Sequence, residues 1–302
     1  RKLPQSLVSS EVLDSLIALL LEKEALRRSL KVRNFGRRVT DEGEAGRLFA
    51  GVARVTREVL GLDDADLPEP ELVLTERLSQ LTRQIVKLCL LVLPAYLFLF
   101  YYAFRQSGGG AAIWVVRIAI LSLLVSPLIF HRRVRLNIEH GCGYSRNMEG
   151  PATIIIDQLP AIQFQSYVAH EYAHHLYFQH FEGESKEWVR EGWARLVQWR
   201  VAEHLYHQED DPAYLYHVLV QTIGELKFAC QMISMTLHRK LPLRVRLIRT
   251  LYNDNPLFRL LTGTPGFNVT SLIDHAIGTA CYFLAEQRFG FEETLWGSPP
   301  SL

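Results

Sequence analysis

Apolar residues recur at helical spacing in "SSEVLDSLIALLLEKEALRRSL", residues 9–30, and this segment predicts an amphipathic helix behind a Ser10 cap. A second helical pattern, "DEGEAGRLFAGVARVTREVLG" at residues 41–61, ends on a glycine. "LDDADLPEPE" then reads as a loop, with a third helix expected from about residue 71. Residues 1–86 are expected to form an N-terminal helical region with an interaction or packing role.

The pattern changes at residue 88, where "LCLLVLPAYLFLFYYAF" (88–104) carries no charge for seventeen positions, near the lower limit for crossing a bilayer. "RQSGGG" turns the chain into "AAIWVVRIAILSLLVSPLIF" (111–130), apolar except for Arg117, which lies close enough to the turn to snorkel. Residues 87–131 therefore read as a transmembrane helical hairpin; a pair of buried core helices is the competing reading. Arg77, Arg83 and Lys87 before the hairpin, and "HRRVR" after it, place positive charge on one side. By the positive-inside rule the protein is expected in the membrane, with residues 132–302 facing the cytoplasm.

Beyond the hairpin, "RVRLNIEHG" and "PATIIIDQ" have strand composition, separated by turn material at "NMEG". From residue 162 the pattern is helical, with interruptions at Gly183, Pro212, Pro242 and "TGTPGFN". The expected fold class is mainly α within α+β: a catalytic domain with a small sheet at 132–302, preceded by the hairpin and the N-terminal helices.

Composition adds little beyond a sizeable core. Lys and Arg (33) balance Asp and Glu (32), so a net charge of +1 gives no electrostatic reason to expect a nucleic-acid partner. Cys89, Cys142, Cys230 and Cys281 are widely spaced, without the pairs of a cysteine zinc site or a disulfide framework. The opening "RKLPQSLVSS" has no apolar stretch, so no signal peptide is expected there.

The chemistry concentrates in "VAHEYAHHLYFQH", residues 168–180. Residues four apart share a helix face, so His170 and His174 can offer imidazole nitrogens to one ion, with Glu171 beside the water bound there. His180 has the spacing of a third histidine in H-E-x-x-H-x-x-G-x-x-H, but Tyr177 stands where that pattern needs glycine. A continuing helix carries His180 about 9 Å further along the axis. A third ligand is then expected from the next helix, after the break at Gly183 and a Ser185 cap. Glu191, in "EGWA", is placed for a return of about two turns, with a glycine and an alanine that let helices approach; Glu187 and Glu184 compete with it.

"HEYAHH" followed by "EGWA" resembles the gluzincin metallopeptidases, whose pattern is H-E-x-x-H and then E-G-x-A. The resemblance covers residues 150–290 at most. It implies Zn2+ held by His170, His174 and Glu191, Glu171 as general base, and a peptide or protein substrate. It also implies a zincin-like fold. Arg195 stands where thermolysin-like relatives carry an aspartate. "DHAIGTACYFLAEQRFG" (274–290) resembles the family helix whose tyrosine donates to the oxyanion; His275 occupies that place here, with Tyr282 as the alternative donor. The functional expectation is a membrane-anchored zinc peptidase. Its rivals are a membrane protein with a structural zinc site closed by a fourth ligand, and a metal-free membrane interaction module.

Overall fold

The computed structural model describes residues 3–32, 34–62, 67–76, 94, 98, 101, 142–146, 151–181, 185–247 and 269–297. Arg1–Thr75 and Cys142–Leu302 form one compact unit, and Glu76–Gly141 form another.

In the first unit, Ser9 rather than Ser10 caps α1 (Ser10–Ser29): its side chain accepts from the Val12 N–H at 3.1 Å. The serine before the first helical residue is the one whose hydroxyl can reach an unpaired N–H of the first turn. Asp41 caps α2 (Glu42–Val59) in the same way. Both helices belong to the unit that contains residues 142–302. There α1 buries Leu13, Leu16, Leu19 and Leu20 against the later helices, and its Lys23 ammonium sits 4.2 Å above the Trp199 ring.

The third helix expected from residue 71 is instead a strand, β1 (Glu71–Thr75), parallel to β3 (Thr153–Asp157). "ELVLT" is too short to show a helical period. Its backbone bonds are closed by "TIIID", about eighty positions away, with Leu72 opposite Ile154 and Leu74 opposite Ile156. Strand β2 (Gly143–Ser145) pairs antiparallel on the other side of β3, giving the order β1-β3-β2. The expected β3 strand at "PATIIID" is present, whereas "RVRLNIEHG" lies outside the described residues.

The helices that follow are α3 (Ala161–His180), α4 (Glu187–Glu209), α5 (Ala213–Thr236), α6 (Leu243–Leu247), α7 (Val269–Phe289) and α8 (Phe291–Trp296). Helix α3 is buried on all sides from Phe164 to Tyr177 except at Gln165, as a central core helix must be. It packs on the sheet, on α2, on α4 and on α5, while α4 packs most extensively on α7. The expected Ser185 cap is not made: α4 starts at Glu187 with Lys186 at its cap position and no side-chain bond to the first turn.

The fold is thus mainly helical with one small sheet. Among the described residues no helix is long and apolar enough to cross a membrane. The expected hairpin, residues 88–130, lies outside the described residues except for Pro94, Phe98 and Tyr101, which are helical and exposed. Among the described residues, Cys230 and Cys281 are buried free thiols.

Candidate metal centre

Two glycines set the geometry of the site. A Cβ on Gly192 would overlap the Gly278 backbone and the Tyr282 ring, and a Cβ on Gly278 would overlap the backbone of Trp188 and Gly192. Helices α4 and α7 therefore cross in backbone contact at these two residues, which only glycine allows. The close approach expected between α3 and α4 through Gly192 is made between α4 and α7 instead. The crossing sets Glu191, one residue before Gly192, beside His275, three residues before Gly278.

One carboxylate oxygen gathers the histidines. Glu191 Oε2 lies 3.3 Å from His170 Nε2, 3.4 Å from His174 Nε2 and 3.1 Å from His275 Nδ1. The His170 and His174 rings are perpendicular at 4.8 Å, and His275 lies nearly parallel to His170 at 5.8 Å. The trio whose donor atoms all fall within 4.8 Å of one another is His170, Glu191 and His275, rather than the trio drawn from the motifs. His174 joins it through the shared Glu191 oxygen. The trio of His170, Glu191 and His275 could hold a metal ion.

The charges follow from this enclosure. Burial pushes the His170 imidazole down to about 3, so it is neutral, as a metal ligand must be. Burial alone would raise the Glu191 carboxyl, but His275 and His174 outweigh it and hold the group well below the usual carboxylate range. Burial pushes the Glu171 carboxyl up to about 6, against the pull of His174 and of the Tyr144 backbone N–H on β2.

The other histidines of the segment have separate partners. His175 Nε2 donates to the Pro68 carbonyl at 2.7 Å, which leaves Nδ1 to accept from the Tyr144 hydroxyl at 3.4 Å. His180 Nδ1 donates to the Leu176 carbonyl at 3.0 Å, and the Phe181 N–H bonds the Tyr177 carbonyl. The helix therefore runs on past Tyr177, and His180 lies beside the Trp296 ring, away from Glu191. Glu187 is not in the metal-capable group, and Glu184 lies outside the described residues. Tyr282 is 2% exposed with its ring wedged against Gly192, so it fills the helix crossing.

Behind the site lies a second polar cluster that sequence reasoning missed. Arg195 donates two nitrogens to Glu225 on α5, and also bonds Gln221 at 2.8 Å and Gln198. Gln198 donates to the Ser166 carbonyl and hydroxyl at 2.8 Å, and Thr279 donates to Glu225. The available signal was Glu225 itself, a carboxylate isolated in the apolar run "YHVLVQTIGELKFACQMIS". It supplies the acidic partner that the arginine at position 195 requires. Compared with protein-family models, with curated proteins and with solved structures, this chain matches nothing.

Proposed function

We propose that the chain is a membrane-anchored zinc metallopeptidase of the gluzincin type, with His170, His174 and Glu191 as ligands and Glu171 as general base. The observation that carries this reading is the convergence of both motif histidines on one Glu191 oxygen. Tetrahedral donors about 2.0–2.1 Å from zinc stand roughly 3.3–3.4 Å apart, and the Glu191 contacts to His170 and His174 are 3.3 and 3.4 Å. The donor set of two imidazoles and one carboxylate is one that zinc hydrolases use. Zinc bound there would acidify the attacking water and polarise the scissile carbonyl.

The chain's own residues do the rest. Glu171, whose carboxyl is raised to about 6 by burial, is poised to take the water's proton near neutral pH and pass it to the departing amine. Tyr144, at the sheet edge, favours the charged form of that carboxylate through its backbone N–H. Anchoring is proposed from the two apolar runs of residues 88–130, and the exposed aromatics Phe98 and Tyr101 suit a lipid-facing surface. The basic flanks favour a cytoplasmic site.

The test is zinc content and peptide hydrolysis in the detergent-solubilised full chain. Wild type should bind one zinc, Glu191→Ala should lose most of it, and Glu187→Ala should keep it. Glu171→Gln should keep zinc and lose turnover, because only the proton transfer is removed. Wild-type turnover in Glu171→Gln sinks the peptidase mechanism. The structural-zinc reading gains support from one observation, the contact of His275 with Glu191, and predicts that wild type binds zinc and hydrolyses nothing.

A further inference from the structure

We propose that His275 Nδ1 is a fourth protein ligand, which closes the metal site in the resting protein and must leave before substrate can bind. The inference rests on the metal site assigned above and concerns its regulation.

Three observations carry it. First, His275 Nδ1 is 3.1 Å from Glu191 Oε2, close to the spacing of two donors on one small ion. Second, Nδ1 is buried and makes no hydrogen bond, so this contact is not an N–H donated to the carboxylate. A neutral ring nitrogen with its lone pair this near a carboxylate oxygen is unfavourable unless a cation lies between them. Third, the other acidic neighbour does not account for it. Glu225 Oε1 is 3.9 Å from Nδ1, beyond hydrogen-bond range, and its carboxylate already accepts two Arg195 nitrogens and the Thr279 hydroxyl.

The backbone brings the side chain there. His275 sits one turn before Gly278 on α7, and the Gly192–Gly278 contact fixes that turn against Glu191. A site with three imidazoles and one carboxylate has no open position in tetrahedral geometry. Substrate entry would then require the His275 imidazole to give up its place, and the freed ring would be left next to the oxygen it would stabilise. The oxyanion role and the ligand role belong to successive states of one side chain.

The experiment uses the full-length protein loaded with cobalt(II) or zinc. Zinc K-edge absorption on wild type should count three imidazoles and one carboxylate; two imidazoles with added water oxygens overturns the proposal without any variant. On the cobalt form, acetohydroxamate must displace His275 from wild type but not from His275→Ala, so the variant should bind it at least about tenfold more tightly. Equal binding by the two proteins, at full cobalt occupancy, overturns the proposal and leaves the three-ligand site standing. Failure of wild type to take up either metal overturns the proposed function instead. Zinc affinity should fall in His275→Ala by more than the roughly 10–100-fold typical of losing an outer hydrogen-bond partner.

Discussion

Two buried polar clusters adjoin each other in this helical core, and they close their hydrogen bonds in opposite ways. Around Arg195 the donors meet acceptors: Glu225, Gln198, Gln221, Ser166 and Thr279 bond one another across four helices. Around Glu191 the ring nitrogens crowd one oxygen, while His170 Nδ1 and His275 Nδ1 make no hydrogen bond. Native proteins rarely leave buried polar atoms unpaired without a reason such as a ligand. The saturated cluster fixes how the helices sit, and the unsaturated one holds coordination capacity in reserve.

The largest effect is expected in the saturated cluster. Arg195 is 3% exposed, so Glu225→Leu alone leaves a buried, uncompensated guanidinium and should cost about 3–5 kcal/mol in denaturant unfolding. The double variant Arg195→Met with Glu225→Leu should regain most of that, because both charges leave together. A single variant costing no more than the double would remove the structural role assigned to the pair.

The coordinating cluster should behave in the opposite sense. Zinc at a hundred times its dissociation constant should stabilise wild type by about 2.7 kcal/mol, read as a concentration-dependent melting shift. Glu191→Ala should lose that shift while its metal-free form stays close to wild type, since this carboxylate faces imidazoles, which can shed a proton, and not a guanidinium, which cannot. A metal-free Glu191→Ala that unfolds as readily as Glu225→Leu would make the two clusters alike.

Gly278→Ala joins the clusters in one measurement. The added methyl has nowhere to go against the Trp188 and Gly192 backbones, so α4 and α7 must separate. Overpacking of this kind costs about 1–3 kcal/mol. Because the crossing sets Glu191 beside His275, zinc affinity should fall in the same variant. Unchanged metal binding would mean that the crossing does not position the ligands.

The candidate site was more legible in the sequence than the frame that holds it. His170, Glu171 and His174 were readable because four-residue spacing on a helix fixes a shared face, whatever surrounds it. Glu191 and His275 were readable only through short motifs, and their meeting depends on a glycine contact between residues 86 positions apart. Strand β1 was lost because five residues carry too little periodicity, and its partner is distant in the chain. The Arg195–Glu225 pair was lost for a related reason: a charge on a helix shows its spacing but not its partner on another helix.

The smallest effect at neutral pH, and the finest test of the contrast, lies at the far end of the saturated cluster. His217 Nδ1 is 3.1 Å from the Ser166 hydroxyl, and its ring meets Tyr167 and Phe35 edge-on at 5.3 and 6.0 Å. Burial, reinforced by Arg195, pushes its imidazole from 6.5 down to about 3, so the folded protein keeps it neutral. The unfolded chain takes up a proton near its ordinary value, so between about pH 6.5 and 3 the unfolded state binds more protons than the folded one. Stability therefore rises with pH across that window, and acid withdraws up to about 1.4 kcal/mol per pH unit on this account. His217→Phe keeps the ring contacts and removes the proton site. It should flatten that part of the pH–stability curve while changing stability at pH 7.5 by no more than about 1 kcal/mol. Neutral-pH unfolding and a series down to pH 4 read the two effects separately. An unchanged acid slope in His217→Phe would show that His217 takes up its proton in the folded protein, which a closed network does not permit.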